Sequence, residues 1–133
     1  MRAPSLDAWL REAKAQTQST ENGMYLFHNG VVRQSPKKLV RQGEDDGRSV
    51  TGMQFSYDRA KLDAAIEKTR RLPGIFYVRA WLNEGRLNVG DDIMLVLIGG
   101  DIRPHVVDAL QSLVGTIKNE CVVEQEVPET RKM

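Results

Sequence analysis

A single α+β domain is the architecture expected of this chain, on three grounds. Helical and strand patterns interleave irregularly, in the order α, β, loop, β, α, β, β, α, β, instead of repeating as βα units. One run, DIMLVLI at 92–98, is almost wholly apolar and so fits a central strand buried on both faces. A length of 133 residues, with 41% hydrophobic and 28% charged side chains, supplies one core and little more. Residues 1–133 therefore read as one domain without internal repeats.

Ser5 is placed to cap a first helix in which Leu6, Trp9, Leu10 and Ala13 recur at helical spacing. MYLFHNGVVR at 24–33 is rich in β-branched and aromatic residues and reads as a strand, with Gly30 marking a bulge or a close backbone approach. The segment 34–50 mixes basic and acidic clusters with little apolar content, which predicts a long mobile loop. GMQFSY then alternates as a half-buried strand does. Asp58 is a candidate cap for a helix with Leu62, Ala65, Ile66 and Thr69 on one face, stopped by Pro73 and Gly74. IFYVRAWL is a further strand, and NEGRLNVGDD turns the chain twice before the central strand. Asp101 is a candidate N-cap and Pro104 suits the first turn of a last helix, striped by Val106, Leu110, Leu113, Val114 and Ile117. CVVEQEV closes as a strand, and 128–133 reads as a loose tail.

Charge narrows the function classes. With 19 basic and 18 acidic residues the net charge is +1, so neither nucleic acid nor a membrane surface is an expected partner. One cysteine excludes an internal disulfide, and two widely separated histidines do not form a metal-ligand pattern; neither metal nor cofactor is expected. No segment reads as a signal peptide or a membrane span, which predicts a cytoplasmic protein.

Two cations invite a chemical role. Lys118 falls on the row Val107, Gln111, Val114 and so borders the apolar face of its helix. A lysine there is either partly desolvated and usable for proton transfer, or a snorkelling side chain that favours a helix C-terminus. Arg103 follows Gly99 and Gly100 where a strand end meets a helix start, a place for anion binding or simply an exposed turn. His28 reads as a satisfied strand histidine, Cys121 as a buried inert thiol, and the acidic run 44–46 as solvated loop. Residue chemistry by itself ends at an α+β domain with a candidate anion pocket.

The order of MYLFHNGVVR, GRLNVGDDIMLVLIGGDIR and VVDALQSLVGTIKNE over residues 24–127 resembles the large, catalytic subunit family of molybdopterin synthase. The G-x-V-R strand ending is Gly30–Arg33, the G-x-L-x-x-G-D turn is Gly85–Asp91, and the family's arginine before the helix and lysine near its end fall on Arg103 and Lys118. The resemblance implies an α/β-hammerhead-like domain with a mixed or antiparallel sheet, and a homodimer. It also implies a small ubiquitin-like sulfur-carrier subunit whose Gly-Gly tail carries a thiocarboxylate. Sulfur passes from that tail to cyclic pyranopterin monophosphate, a step of molybdenum cofactor biosynthesis. Arg33 and Arg103 would then bind the substrate phosphate or the tail, with Lys118 as the catalytic lysine.

The chain departs from the family pattern at three places. Ile102 stands where the family has histidine, Leu82 and Asn83 replace a His-Arg pair, and Val123 and Glu124 occupy an aromatic and lysine position. An acid for a cation opposes an anionic substrate. The alternative these positions imply is a non-catalytic binding module that docks a ubiquitin-like partner.

Overall fold

The computed structural model describes residues 2–34 and 50–128, so nearly all of the expected 34–50 loop and 128–133 tail lies outside the described residues. Helix α1 (Leu6–Lys14) begins where the Ala8 amide donates to Ser5 Oγ at 3.2 Å. It buries Trp9 and Ala13, whereas Leu6, expected on the same stripe, stays 39% exposed. A 3₁₀ turn (Thr17–Glu21) leads into β1 (Met24–Val31). After the undescribed segment come β2 (Val50–Tyr57) and α2 (Arg59–Arg70), the latter capped by Asp58, whose Oδ1 accepts from the Lys61 amide at 3.1 Å. Strands β3 (Ile75–Leu82), β4 (Gly85–Asn88) and β5 (Asp92–Gly100) follow, then α3 (Arg103–Thr116), a π turn (Ile117–Cys121) and β6 (Val122–Pro128).

The strands form two three-stranded sheets, ordered β1-β5-β3 and β4-β2-β6, and every described pairing is antiparallel. As its composition predicts, β5 is central and buried on both faces. Leu95 and Leu97 point to one side and pack with Trp9, Ala13 and Tyr77 beneath α1. Met94, Val96 and Ile98 point to the other, against α2 and α3 through Leu62, Val106, Leu113 and Ile117. The second sheet has its own small core of Val32, Met53, Phe55 and Leu87. Over α1, Arg79 ties helix to sheet by pairing with Glu12 and stacking 4.6 Å from the Trp9 ring.

Two local expectations need correction. NEGRLNVGDD does turn twice, at Gly85 (φ 86°) and Gly90 (φ 93°), but the residues between form β4, paired with β2. Only Leu87 of its four residues is buried, too little apolar alternation to announce a strand. Asp101 does not act as the N-cap of α3; that position is Ile102, without a side-chain cap. The Asp101 carboxylate instead accepts from the amide of the next residue, Ile102, and contacts His105 Nδ1, each at 2.7 Å, so it engages no backbone donor inside the first turn of the helix.

Candidate functional site

A cleft of about 180 Å³ opens where the two sheets meet beneath the π turn. Strand β1 supplies one wall. Leu26 on β1 packs into the core beneath α3, and the alternation of a strand places His28 and Gly30 on the same side. After Gly30 the register with β5 shifts by a bulge, as the glycine in the sequence predicts. The bulge leaves Val31 exposed and turns Val32 inward, where its amide donates to the Asp91 carbonyl at 3.0 Å. Arg33 follows at the rim, exposed. Met53 and Phe55 of β2, Ile93 and Met94 of β5, and Val122 of β6 make the apolar lining.

Lys118 enters from the π turn. Ile117 and Cys121 anchor that turn, with 0% and 3% exposure, and the Cys121 carbonyl accepts from the Asp58 amide at 2.8 Å. Widening from α to π geometry between these anchors presents Lys118 over the cleft, as single π turns frequently do at working sites. Lys118 is exposed, so it is a rim cation and the desolvated lysine allowed by the pattern is not what forms. Glu124 of β6 also lines the cleft, so among the described residues two basic side chains and one acid line it.

His28 is the residue whose bland reading fails. Its Nε2 is buried yet has no hydrogen-bond partner among the described residues. Burial, reinforced by the positive charge of Lys118, lowers its pKa below 6.5, so the ring is neutral at pH 7. No sequence signal marks this, because a histidine inside a strand looks the same whether or not its nitrogens are satisfied. Cys121 is buried as expected, and burial raises its thiol pKa, which keeps it protonated and unreactive.

Arg33 and Lys118 are thus brought together, and Arg103 is not. Arg103 opens α3 while Lys118 lies just past its end, about 22 Å away at 1.5 Å of rise per residue. The Gly99-Gly100 pair is no anion cradle either. A Cβ on Gly100 would meet the Gly74 carbonyl and Val106 at 2.6 Å, and the Asp101 amide already donates to Gly74. These glycines serve close packing, and the acid beside them occupies the place an anion would take. Asn83 is likewise committed: buried, it donates to the Asp92 carbonyl at 3.0 Å and accepts from the Glu84 amide at 2.9 Å, holding the β3–β4 turn. Among the described residues no group of three metal-ligating side chains forms, and no helix is long and apolar enough to cross a membrane.

Two antiparallel sheets and three helices, with a cleft lined by Arg33, Lys118 and Glu124 at the junction of the sheets, define an α+β protein. The family model for MoaE protein matches residues 5–120, and the chain belongs to that family, as a divergent member. Its fold is that of solved relatives. A molybdopterin synthase from Staphylococcus aureus superposes with a TM-score of 0.72 at 17% identity, covering 95% of this chain and 87% of that one. A MoaE protein of molybdopterin biosynthesis from Burkholderia ambifaria MC40-6 gives 0.67 at 20% identity, over 96% and 85%. A complex of subunits 1 and 2 of the molybdopterin-converting factor from Helicobacter pylori 26695 gives 0.65 at 18%, over 91% and 74%. No curated protein matches the chain.

Proposed function

We propose that this chain is the large subunit of a molybdopterin synthase, working in the cytoplasm. It takes sulfur from the C-terminal thiocarboxylate of a small ubiquitin-like carrier and passes it to cyclic pyranopterin monophosphate. The observation that carries this reading is the meeting of Arg33 and Lys118, set by different elements, at one cleft whose wall contains Gly30.

A cleft of about 180 Å³ is smaller than the roughly 300–1,000 Å³ of sites that enclose a whole small molecule. It suits a narrow diglycine tail, with the pterin held at the mouth. The two-subunit complex from Helicobacter pylori supports a protein partner of that kind. Lys118 places an ammonium where the tail's thiocarboxylate would arrive, and the same charge stabilises the oxyanion formed when an acyl intermediate breaks down. Arg33 at the rim presents a planar fork suited to the substrate phosphate. Arg103, about 22 Å from Lys118 along one chain, contributes to the pocket only if a second copy brings it there. The homodimer that the family resemblance implies would be an arrangement able to do so.

One observation favours the alternative, a non-catalytic module that docks the carrier without turnover: Glu124 adds a negative charge to a cleft meant for anions. A single-turnover assay separates the two readings. Purified protein is mixed with a thiocarboxylated small subunit and cyclic pyranopterin monophosphate, and molybdopterin is followed as its fluorescent oxidation product. Product that disappears with Lys118→Ala is the expected result. Tight binding of the carrier without product would establish the alternative.

A further inference from the structure

The buried, unpartnered nitrogen in the cleft wall has no role in the reading so far. A polar atom buried without a partner costs about 1–3 kcal/mol, so a fold that keeps one commonly does so for something that arrives later. Gly30 beside it carries no side chain. A Cβ built on Gly30 would lie 3.7 Å from His28 Nε2, 3.6 Å from Met94 Cγ and 3.9 Å from Ile93 Cβ, which are ordinary contact distances. His28 and Gly30 thus lie side by side in the wall of the cleft that Lys118 overhangs, with no side chain from Gly30 standing between Nε2 and the cleft.

We propose that His28 is the proton acceptor of this cleft, activating the water that hydrolyses the acyl–sulfur bond between carrier tail and pterin. The inference rests on the sulfur-transfer reading above. As the water oxygen bonds to the acyl carbon, one of its protons passes to Nε2. The carbon–sulfur bond breaks, its electron pair leaving with the pterin sulfur, and the imidazolium returns the proton to that thiolate. The tail departs as a carboxylic acid and the pterin as a thiol.

The surroundings suit the role. Among the described residues, Lys118 from the π turn and Arg33 beyond β1 face the cleft as cations, Glu124 of β6 as the single acid, and β2 and β5 contribute only apolar side chains. The ring is held neutral, which an acceptor requires, by burial and by Lys118. In the transition state an oxyanion develops on the acyl group beside it, which Lys118 stabilises and which favours the imidazolium.

The test is the hydrolysis step in single turnover, followed across pH with the acyl–sulfur intermediate monitored by mass spectrometry. In the wild type, breakdown should slow as pH falls through the imidazole pKa, below 6.5. Glutamine keeps a hydrogen-bonding group at the reach of Nε2 but does not titrate. His28→Gln should slow breakdown by about 10²-fold or more, accumulate the intermediate and lose the acid limb of the profile. Gly30→Ala, whose methyl makes only ordinary contacts, should slow the same step by standing between Nε2 and the cleft, and it carries the test if His28→Gln fails to fold. If His28→Gln keeps both the wild-type rate and profile while the wild type turns over, the role is overturned and the synthase reading stands. A wild type that makes no product with both substrates sinks the synthase reading, and this role with it.

Discussion

The first turn of α3 and the π turn beyond its last each carry one basic residue beside buried apolar side chains, yet they are built in opposite ways. At the first turn the space is filled. Gly99 and Gly100 let β5 pass within contact of Tyr25, Gly74 and Val106, and Asp101 uses its carboxylate on the Ile102 amide and on His105. At the far end the backbone widens into a π turn, the two sheets meet around a cleft, and Lys118 overhangs that cleft, whose wall contains an unsatisfied nitrogen. What separates a site from a sturdy turn here is whether the space beside the cation is open or filled. Buried polar atoms without partners among the described residues occur near both ends, since Asn22 Oδ1 and Tyr25 OH by Gly99 lack them too.

The largest expected effect is on chemistry at the open end. Lys118→Ala should reduce sulfur transfer by about 10²–10³-fold, the usual cost of losing one group that stabilises a developing oxyanion. Its stability should stay within about 0.5 kcal/mol of wild type, because the side chain is exposed. Thermal unfolding beside single turnover checks both halves. A large loss of stability would show Lys118 to be structural and break the contrast with its neighbour.

That neighbour supplies the next effect. Ile117 is fully buried against the α3 core and anchors the π turn. Ile117→Ala should cost about 2–5 kcal/mol in denaturant unfolding, from lost burial and the cavity left behind. Adjacent residues would then divide the work, one holding the turn and the other using it. A cost below about 1 kcal/mol would mean that the site collapses around the gap, and that the π geometry is held elsewhere.

Glycines sharpen the contrast further. Gly100→Ala forces a methyl to 2.6 Å from both a backbone oxygen and Val106, and should destabilise by about 1–3 kcal/mol through overpacking. Gly30→Ala meets nothing closer than 3.6 Å and should be close to neutral for folding. Equal costs at the two positions would remove the distinction between a glycine that closes a gap and one that leaves a space.

Much of the frame was legible in the residues. The unbroken apolar run of β5 marks a two-sided strand, Ser5 and Asp58 cap as their chemistry suggests, and Gly30 does sit at a bulge. These are local signals, set by a side chain and its near neighbours. The assembly of the cleft was not legible, because it depends on two sheets meeting. Arg33, His28, Lys118 and Glu124 come from β1 and its end, the π turn and β6, and no periodicity relates them. The Gly99-Gly100-Arg103 stretch misleads for the complementary reason. A strand–glycine–helix junction reads alike whether its amides are open to an anion or already engaged, as the Asp101 amide is by Gly74.

The smallest effect belongs to the closed end and is a pH dependence. Contact with His105 is the main cause of a lowered Asp101 pKa, and the Ile102 amide adds to it. A carboxylate whose folded pKa lies below its unfolded 3.8 adds stability above that pH. The contribution fades as pH falls through the folded value, where both states are protonated. Asp101→Asn keeps the size of the side chain and removes the charge. Its melting temperature should therefore fall slightly below wild type at neutral pH, and the two should converge in acid. Because Asp101 and His105 are both solvent-exposed, salt should shrink the difference as well. A gap that persists unchanged at low pH and high salt would mean that geometry, not charge, holds this turn. In that case the first turn of α3 would be closed by packing alone, and its polar pair would be an ornament of the surface.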